Sequence, residues 1–401
     1  MSLTKATYSM ITGAYVNALD YGADPTGSSD SQAAIQSALN SGGNVFLPKG
    51  NYKINSTLSF VNANQVLFGE SFAGINVITS GNPLSATNLS QIFTSSAITM
   101  FTHGNLQGVQ IENIAFNGNA VATAGVSLGT SGQPFNITLR NVFVNAINGI
   151  ALNTGNCVDS NFYSVIVNGY NASSTVVTTD GILVGSTNNN FYGCWVEGCT
   201  NGIYAVGTIA HFFGCTLSDA PYTNIKIGAN IAQYSFNGCY LENAVVIYSN
   251  SSYSYGCVDF VNCFIESSST SNLIDLTNCA SGSQVNFIGG RFSELSGSQN
   301  IYIPSGVSVN CINVGQSTPT FSGAGTFTLL SNTSNSTAQA VFPASVSVSG
   351  TVAKILSGTG SPQGVVAAPV GSIFLRTDGG TSTTFYVKET GTTTSSGWVA
   401  K

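Results

Sequence analysis

The sequence predicts an all-β fold, a parallel β-solenoid in which short strands are wound into successive coils. Two observations predict it: a short phrase that returns about every two dozen residues, and a composition rich in turn and strand formers. Only 6% of the 401 residues are charged, whereas 43% are hydrophobic and 45 are glycine. This composition is typical of short strands joined by tight turns and not of helical proteins.

The first phrase begins with Phe, has Gly or Asn at its third position and, in all but the last copy, Cys at its fourth. Five copies align without gaps, beginning at Phe191, Phe212, Phe236, Phe260 and Phe287, and their fourth positions are 21, 24, 24 and 27 residues apart. In a second phrase, two apolar residues flank a variable one, as in Gly181-Ile-Leu-Val184 and Gly202-Ile-Tyr-Ala205. Such alternation indicates strands with one buried side. Repeats of this length without an intervening amphipathic helix are typical of solenoids.

Equivalent positions in successive coils should stack in columns about 4.8 Å apart. We expect the repeated phenylalanines and cysteines to form internal ladders, because free cysteine is among the most buried residue types. The nine cysteines show no CxxC pair and no Cys/His zinc spacing. The sequence therefore favours neither a disulfide framework nor a metal site, and we expect no cofactor.

A solenoid must cover its first coil, since open strand edges recruit other chains. The segment 30–40 supplies a capping helix, with an apolar stripe and with Gly42-Gly43 to end it. Ser29 or Asp30 is the expected N-cap residue.

Both ends of the chain resemble those of a known family. The run Val16-Asn-Ala-Leu-Asp20-Tyr-Gly-Ala-Asp24-Pro-Thr-Gly27, the capping helix and Val45-Phe-Leu-Pro48-Lys-Gly50-Asn-Tyr52 resemble the opening of the pectate-lyase-like superfamily, which is especially common in phage tailspikes. Residues 369–381 and 385–400 resemble a small β module that ends many tail fibres. The resemblance implies a right-handed single-stranded parallel β-helix (a pectin-lyase-like solenoid), assembled as a homotrimer that binds glycans along a helix face or between subunits.

The predicted organisation follows from these segments. It comprises an N-terminal arm (1–14), the opening segment and capping helix (15–60), the parallel β-helix (61–306), a connector (307–349) and a C-terminal β module (350–401) with a hairpin turn at Asp378-Gly379-Gly380. The arm is the expected attachment to a phage tail or baseplate protein, and the last module is a possible trimer clamp. The resemblance implies a location in the virion tail.

Charge and hydropathy exclude other classes of partner. The net charge is −6 and the ten Lys and Arg residues form no basic stripe, so we expect no nucleic acid partner. No stretch resembles a signal peptide or a membrane span, and we expect the mature protein to begin near Met1.

The alignment leaves two outward columns in which chemistry is expected. One contains Trp195, Thr216, Tyr240, Phe264 and Arg291, and the other contains Glu197, Ser218, Glu242, Glu266 and Ser293. We predict that Glu242 and Glu266 are the acid and the nucleophile, with Glu197 or Asp219 as the alternative partner. Trp195, Tyr240, Phe264 and Arg291 are the predicted glycan-binding residues.

Column geometry carries this prediction. The carboxyl groups of Glu242 and Glu266 should lie about 5 Å apart, and those of Glu197 and Glu242 about 10 Å apart. Retaining glycosidases place their two carboxyl groups at about 5 to 5.5 Å and inverting ones at about 6.5 to 9.5 Å. Two like charges one coil apart also raise one pKa, as a general acid requires.

Two functions follow as hypotheses. The first is a tailspike that recognises a host surface polysaccharide, lipopolysaccharide or capsule, and depolymerises it as a glycoside hydrolase. The second is a non-catalytic receptor-binding or structural tail fibre, in which the same column is solvated or lies in a subunit interface. Lyase chemistry is disfavoured, because the four cationic side chains of the solenoid, Arg140, His211, Lys226 and Arg291, do not share a column.

Overall fold

The structure is a computed structural model that divides into two compact units, residues 1–330 and 331–401. It describes residues 14–70, 89–220, 222–242, 245–249, 253–266, 274–293, 300–312, 314–315, 320–330, 345–347 and 353–401. The predicted N-terminal arm lies almost wholly outside these residues, as does much of the predicted connector.

The first unit is a right-handed parallel β-helix, as predicted. Its larger sheet contains the strands Val16–Asn17, Val45–Leu47, Gly50–Lys53, Val66–Gly69, Ser90–Phe93, Gln110–Asn117, Thr138–Asn145, Asn161–Tyr163, Ile166–Asn168, Asn189–Tyr192, Trp195–Glu197, Ile209–Phe213, Thr216–Ser218, Ile231–Asn237, Tyr240–Glu242, Tyr255–Val261, Phe264–Glu266, Gln284–Ile288, Arg291–Ser293, Ser308–Ile312 and Thr326–Leu330. A second parallel sheet contains Leu58–Ser59, Thr99–Thr102, Ala124–Ser127, Ile150–Asn153, Asp180–Val184, Asn201–Ala205, Thr223–Ile227, Val245–Ser249, Ile274–Asp275, Asn300–Tyr302 and Thr320–Ser322.

Three faces result from this winding. Face 1 consists of strands such as Asn189–Tyr192 and Ile209–Phe213, and face 2 consists of the strands that follow them, such as Trp195–Glu197 and Thr216–Ser218. Face 3 is the second parallel sheet. Trp195 pairs with Thr216, as the alignment of the phrases requires.

The predicted internal ladders are confirmed. The rings of Phe162, Phe191, Phe212, Phe236, Phe260 and Phe287 stack at centroid distances of 4.6 to 5.1 Å. Cys194, Cys215, Cys239 and Cys263 are buried and their thiols lie against backbone carbonyl oxygens. Ring stacking and thiol burial exclude water from every middle coil, and this apolar column stabilises the solenoid.

A left-handed residue makes the turn between face 1 and face 2 in each middle coil. This position holds Asn113, Asn141, Ser164, Gly193, Gly214, Gly238, Asn262 and Gly289, with φ between 49° and 64°. Glycine and asparagine reach this region of φ at the lowest cost, which explains the third position of the phrase.

The capping helix runs from Gln32 to Asn40 and buries Ile35, Ala38 and Leu39 against the first coil. Its N-cap residue is Ser31, whose side chain makes no capping bond, so the predicted cap at Ser29 or Asp30 is displaced. Asp30 still contributes, because its carboxylate accepts a hydrogen bond from the Gln32 N–H. A 3₁₀ helix, Ala18–Tyr21, precedes it.

Parallel pairing continues beyond residue 306, the predicted end of the solenoid. Gln284–Ile288 pairs with Ser308–Ile312, which in turn pairs with Thr326–Leu330. Cys311 takes the place of the stacked phenylalanine there, next to Phe287. The first unit is longer than predicted because the ladder of main-chain hydrogen bonds does not depend on the repeated side chains.

The second unit is a five-stranded sheet among the described residues, with the strands Ser345–Ser347, Lys354–Gly358, Ile373–Arg376, Phe385–Lys388 and Trp398–Ala400. Phe374, Tyr386, Trp398 and Ala368 form its core. Residues 377–384, which include the predicted Asp378-Gly379-Gly380 turn, join two antiparallel strands. In the parts of the chain described here, no helix is long and apolar enough to cross a membrane.

Candidate functional site

The two columns predicted to carry chemistry lie on the outer side of face 2. Glu242 and Glu266 are partners in adjacent coils, and Glu197 pairs with Ser218. Trp195, Tyr240 and Phe264 are half-buried on the neighbouring column. The register therefore places all four predicted glycan-binding residues beside the row of acids.

The aromatic side chains do not form a continuous platform, because Thr216 separates Trp195 from Tyr240. The Trp195 indole N–H donates to the Ser218 hydroxyl at 3.1 Å, which fixes the ring. The rings of Tyr240 and Phe264 lie 5.3 Å apart at 41°. On the far side, the Arg291 guanidinium lies 4.2 Å from the centre of the Phe264 ring, a cation–π contact.

Tyr240 is the hydrogen-bond donor of the acidic column. Its hydroxyl donates to Glu266 Oε2 at 2.8 Å. Burial, the hydrogen bond to Glu266 and the charge of Glu242 together raise the pKa of the Tyr240 phenol. The phenol therefore remains a hydrogen-bond donor to Glu266.

Glu197 differs from the other acids in its ionisation. Burial, followed by the nearby charges of Asp219 and Glu242, raises the pKa of Glu197 to about 7. Its side chain is half-buried, whereas Asp219 is exposed in the next coil, immediately after Ser218 and in the left-handed region with φ 48°. At neutral pH a large fraction of Glu197 is protonated, as is required of a general acid.

A groove of about 270 Å³ lies on face 2 on the N-terminal side of Glu197. Its floor consists of Asn117, Asn145 and Asn168, which occupy the same outward column as Glu197. Asn168 is the direct partner of Glu197 in the preceding coil. The row of acids thus continues towards the N-terminus as a row of amides.

A short hairpin forms one wall of the groove. Tyr170 bridges to Val176, and the Asn171 side chain accepts hydrogen bonds from the N–H groups of Ser173 and Thr175. The Tyr170 ring lies over Gly198, where any Cβ would clash with the ring carbons. Burial, then the charges of Asp219 and Glu197, raise the pKa of Tyr170, which places this phenol between the groove and the acids.

Four residues that line the groove were not among the site residues predicted from sequence: Asn117, Asn145, Asn168 and Tyr170. A signal for the first three was present: Phe116-Asn-Gly118, Val144-Asn-Ala146 and Val167-Asn-Gly169 have the pattern of Val196-Glu-Gly198. Extending the aligned phrase towards the N-terminus, without its cysteine, would have found the column. Tyr170 had no such signal, because it lies outside the repeated phrases, in the hairpin between the strands Ile166–Asn168 and Asp180–Val184.

Two other features are structural. His103 is fully buried, and one ring nitrogen lies 2.7 Å from the Leu106 carbonyl oxygen. Burial lowers the pKa of this imidazole, which keeps it neutral. No group of three His, Cys, Asp or Glu side chains suited to a metal ion occurs in the described residues.

Comparisons with solved structures show the same fold at low identity. A Geobacillus virus E2 protein, ORF18, is 18% identical with a TM-score of 0.52, over 79% of this chain and 61% of that protein. The Streptococcus pneumoniae surface adhesin PfbA is 12% identical with a TM-score of 0.50, over 79% of this chain and 98% of that one. The tailspike of Acinetobacter phage vB_ApiP_P1 is 16% identical with a TM-score of 0.48, over 90% of this chain and 68% of that one.

The chain thus spans less than two thirds of the Geobacillus virus protein. No curated protein matches the sequence. A profile described as rhamnogalacturonase A/epimerase, pectate lyase-like, matches residues 15–282, which include the capping helix and the face 2 residues from Asn117 to Glu266 but not Arg291. The chain belongs to this pectate lyase-like family.

Proposed function

We propose that the protein is a phage tailspike that binds a polysaccharide of the bacterial surface and hydrolyses its glycosidic bonds at face 2. The resemblance of both chain ends to tail proteins supports the assignment to a phage tail. The fold shared with a Geobacillus virus protein is consistent with it. The observation that carries the hydrolase assignment is the half-buried carboxyl group of Glu197, whose pKa is raised to about 7 by burial and by the charge of Asp219.

In the proposed reaction, the Glu197 carboxyl group gives its proton to the glycosidic oxygen while the Asp219 carboxylate attacks the anomeric carbon. Asp219 directly follows Ser218, the partner of Glu197 in the adjacent coil, and we expect the two carboxyl groups to lie at the separation of about 5 to 5.5 Å that retaining enzymes use. Water then attacks the glycosyl–Asp219 ester, Glu197 accepts the proton from that water, and both carboxyl groups return to their starting states. We expect retention of the anomeric configuration.

Glu242 and Glu266, the pair favoured by the sequence, take a supporting role in this proposal. Glu266 accepts a hydrogen bond from Tyr240, and the charge of Glu242 contributes to the raised pKa of Glu197. Ionised carboxylates accept hydrogen bonds from sugar hydroxyl groups. We therefore assign them to substrate binding and to tuning of Glu197.

The test is the release of reducing ends from surface polysaccharide extracted from the bacterial host. We expect the wild type to release them and Glu197→Gln or Asp219→Asn to lower the rate by at least about 100-fold, in the range of general acid–base effects. Glu242→Gln and Glu266→Gln should act mainly on KM. Glu70→Gln is the matched control, because Glu70 forms an exposed ion pair with Lys49 that contributes little.

Loss of activity in Glu266→Gln with full activity in Glu197→Gln would return the reaction to the pair predicted from sequence. Binding without any release of reducing ends by the wild type would exclude the hydrolase. The second candidate, a non-catalytic adhesin, would then stand, and the bonds from Trp195 to Ser218 and from Tyr240 to Glu266 favour it, since they tie the outward side chains to each other.

Assembly completes the proposal: three copies pack side by side in the virion tail, and residues 1–14 attach them to a tail or baseplate protein. Face 1 is the contact that the side chains favour. An outward column there, the face 1 stripe, contains Phe46, Phe68, Glu112, Arg140, Tyr163, Tyr192, Phe213, Asn237, Val261, Ile288 and Ile312. Face 2 is less suited to this contact, because its carboxylates would be buried there at a large cost.

A further inference from the structure

We infer that the groove beside Glu197 is a binding subsite for an uncharged sugar unit, held through its hydroxyl and ring oxygens by a row of amide N–H donors. The inference rests on the proposed function and names the class of glycan that the site accepts. Four observations carry it: the direction of the amide hydrogen bonds, the lack of charge in the groove lining, the size of the groove and its position next to the acids.

The orientation of the amides is fixed by backbone donors at both ends of the row. The Tyr170 N–H donates to Asn168 Oδ1 at 3.1 Å, and the Asn119 N–H donates to Asn117 Oδ1 at 3.1 Å. Between them, Asn168 Nδ2 donates to Asn145 Oδ1 at 3.1 Å and Asn145 Nδ2 donates to Asn117 Oδ1 at 3.2 Å. A backbone N–H can only donate, so the amide oxygens must lie where these bonds place them.

The consequence is a surplus of donors along the groove floor. Each of the three amide oxygens already accepts a hydrogen bond, and each amide nitrogen has a second N–H that these bonds do not use. The three side chains are more than nine-tenths buried, at 3%, 7% and 6% exposure. Buried donors stabilise a ligand that supplies acceptor oxygens, and sugar hydroxyl and ring oxygens are such acceptors.

The lining of the groove discriminates by charge. It consists only of asparagine, alanine, serine and tyrosine residues, with no cationic side chain to pair with an anion. The acids of face 2 follow at its C-terminal end, and the negative potential of Asp219 opposes a uronate, a sialate or a phosphate. An anionic sugar would lose its hydration without gaining a partner, whereas a neutral one would not.

The size and the position of the groove also suit a single sugar unit next to Glu197. A volume of about 270 Å³ is just below the range of about 300 to 1,000 Å³ that holds drug-sized ligands, so the groove suits a single sugar unit. Asn168 and Glu197 are partners in adjacent coils, about 4.8 Å apart. A sugar bound over the amides therefore presents its next glycosidic bond to Glu197.

The test is binding of the wild-type protein to an array of bacterial surface polysaccharides of known composition, half with uncharged sugar units and half in which every sugar unit carries a carboxylate or a phosphate. We expect the wild type to bind only polysaccharides that contain an uncharged sugar unit. The groove variants should bind these polysaccharides more weakly. Asn145→Asp replaces a donor by a negative charge without a change in shape, and it should weaken the affinity at least 10-fold. Asn161→Asp is the matched control, because Asn161 belongs to an amide pair on face 1.

A second variant separates lost binding from lost folding. Ala172 is exposed on the hairpin wall, so Ala172→Trp should leave the fold intact and fill the groove. We expect it to weaken binding as Asn145→Asp does. Binding only to fully anionic polysaccharides, or unchanged affinity in both groove variants, overturns the inference and leaves the proposed function in place. Failure of the wild type to bind any polysaccharide, including that of its host, overturns both.

Discussion

Asn168 and Glu197 occupy the same position in adjacent coils, and the change from amide to carboxyl marks the point where the proposed binding site meets the proposed catalytic site. The amide is neutral at all pH values, whereas burial and two neighbouring acids raise the pKa of Glu197 to about 7. The titration of Glu197 should therefore make the stability of the protein depend on pH near neutrality. This dependence can be measured without any substrate.

Glu197 should make the folded protein less stable as the pH rises towards 7. Its carboxyl group keeps a proton up to about pH 7 in the folded protein, against an ordinary value of 4.5. Between these values the unfolded chain binds fewer protons than the folded one, so the free energy of unfolding falls as pH increases. In Glu197→Gln this contribution is absent. We expect the Tm of the variant, relative to that of the wild type, to rise by a few degrees between pH 5 and pH 8.

Asp219→Asn is the companion measurement for this effect. Removal of the Asp219 charge should bring the pKa of Glu197 part of the way back, so the loss of stability should be smaller and should end at a lower pH than in the wild type. Parallel Tm curves for the wild type and Glu197→Gln across this range would show that Glu197 ionises normally. The same result would remove the basis for its role as a general acid.

The sequence predicted the column in which the glutamates lie, but it did not predict the raised pKa of Glu197. The repeated phrase placed Glu197, Glu242 and Glu266 in one outward column, because a solenoid repeats its side-chain directions in every coil. It favoured Glu242 and Glu266 over Glu197, because the burial of Glu197 and the approach of Asp219 depend on tertiary packing that the phrase does not encode. The turn that carries Asp219 is left-handed, and no repeated pattern marks it.

At the scale of the single element, the left-handed turn between faces 1 and 2 is the feature that the sequence encodes most directly. Gly238 has φ 62° in this turn, and a Cβ built on it would contact nothing within 4 Å. Gly238→Ala should therefore cost only the backbone penalty of about 1 to 2 kcal/mol. Gly238→Asn should cost less, because asparagine already occupies this position at Asn113, Asn141 and Asn262. Midpoints of unfolding in guanidinium chloride would measure both changes.

Equal losses in the alanine and asparagine variants would show that the φ preference of the residue does not determine the stability of this turn. Gly193→Ala offers an independent repeat, since a Cβ there also meets no atom within 4 Å.

The ends of the solenoid were predicted less well than its middle. The sequence indicated an end near residue 306 because the Phe and Cys of the phrase stop there. The coil at Ser308–Ile312 keeps the main-chain pairing with Val309 and Cys311 in the core positions. Any apolar residues of suitable size can fill such positions. A sequence pattern defined by Phe and Cys therefore ends before the solenoid does.

At the scale of the whole molecule, the face 1 stripe is the feature that calls for a partner. It runs through ten coil steps, or about 48 Å, and its rings stack on each other, with Tyr192 at 4.9 Å from Tyr163 and 5.0 Å from Phe213. Its one ion pair, Glu112 with Arg140 at 3.7 Å, is satisfied between neighbouring coils, so the stripe carries no net charge. Apart from Glu112, Arg140 and Asn237 the side chains of the stripe are apolar or aromatic, and soluble monomers rarely expose apolar patches of this extent.

A second copy of the chain is the occupant that the stripe fits. The stripe runs along successive coils, so rotation about a parallel axis brings the same coils of neighbouring copies together, as closed rotational symmetry requires. The apolar and aromatic side chains on either side of the Glu112–Arg140 pair would then contribute along most of the contact. This geometry also leaves face 2 and its carboxylates open to a polysaccharide.

Charged substitutions in the stripe should therefore separate the copies without unfolding them. Phe213 and Ile288 are both 37% exposed, so Phe213→Glu and Ile288→Glu place a carboxylate at the surface of each chain and within the contact of the assembly. Light scattering coupled to size-exclusion chromatography should give a trimer mass for the wild type and a monomer mass for the double variant. Tyr222→Glu is the control, since Tyr222 is 71% exposed and lies outside the stripe. A trimer mass for the double variant would place the contact between copies on another face, and a monomeric wild type would leave the stripe without the occupant argued for it.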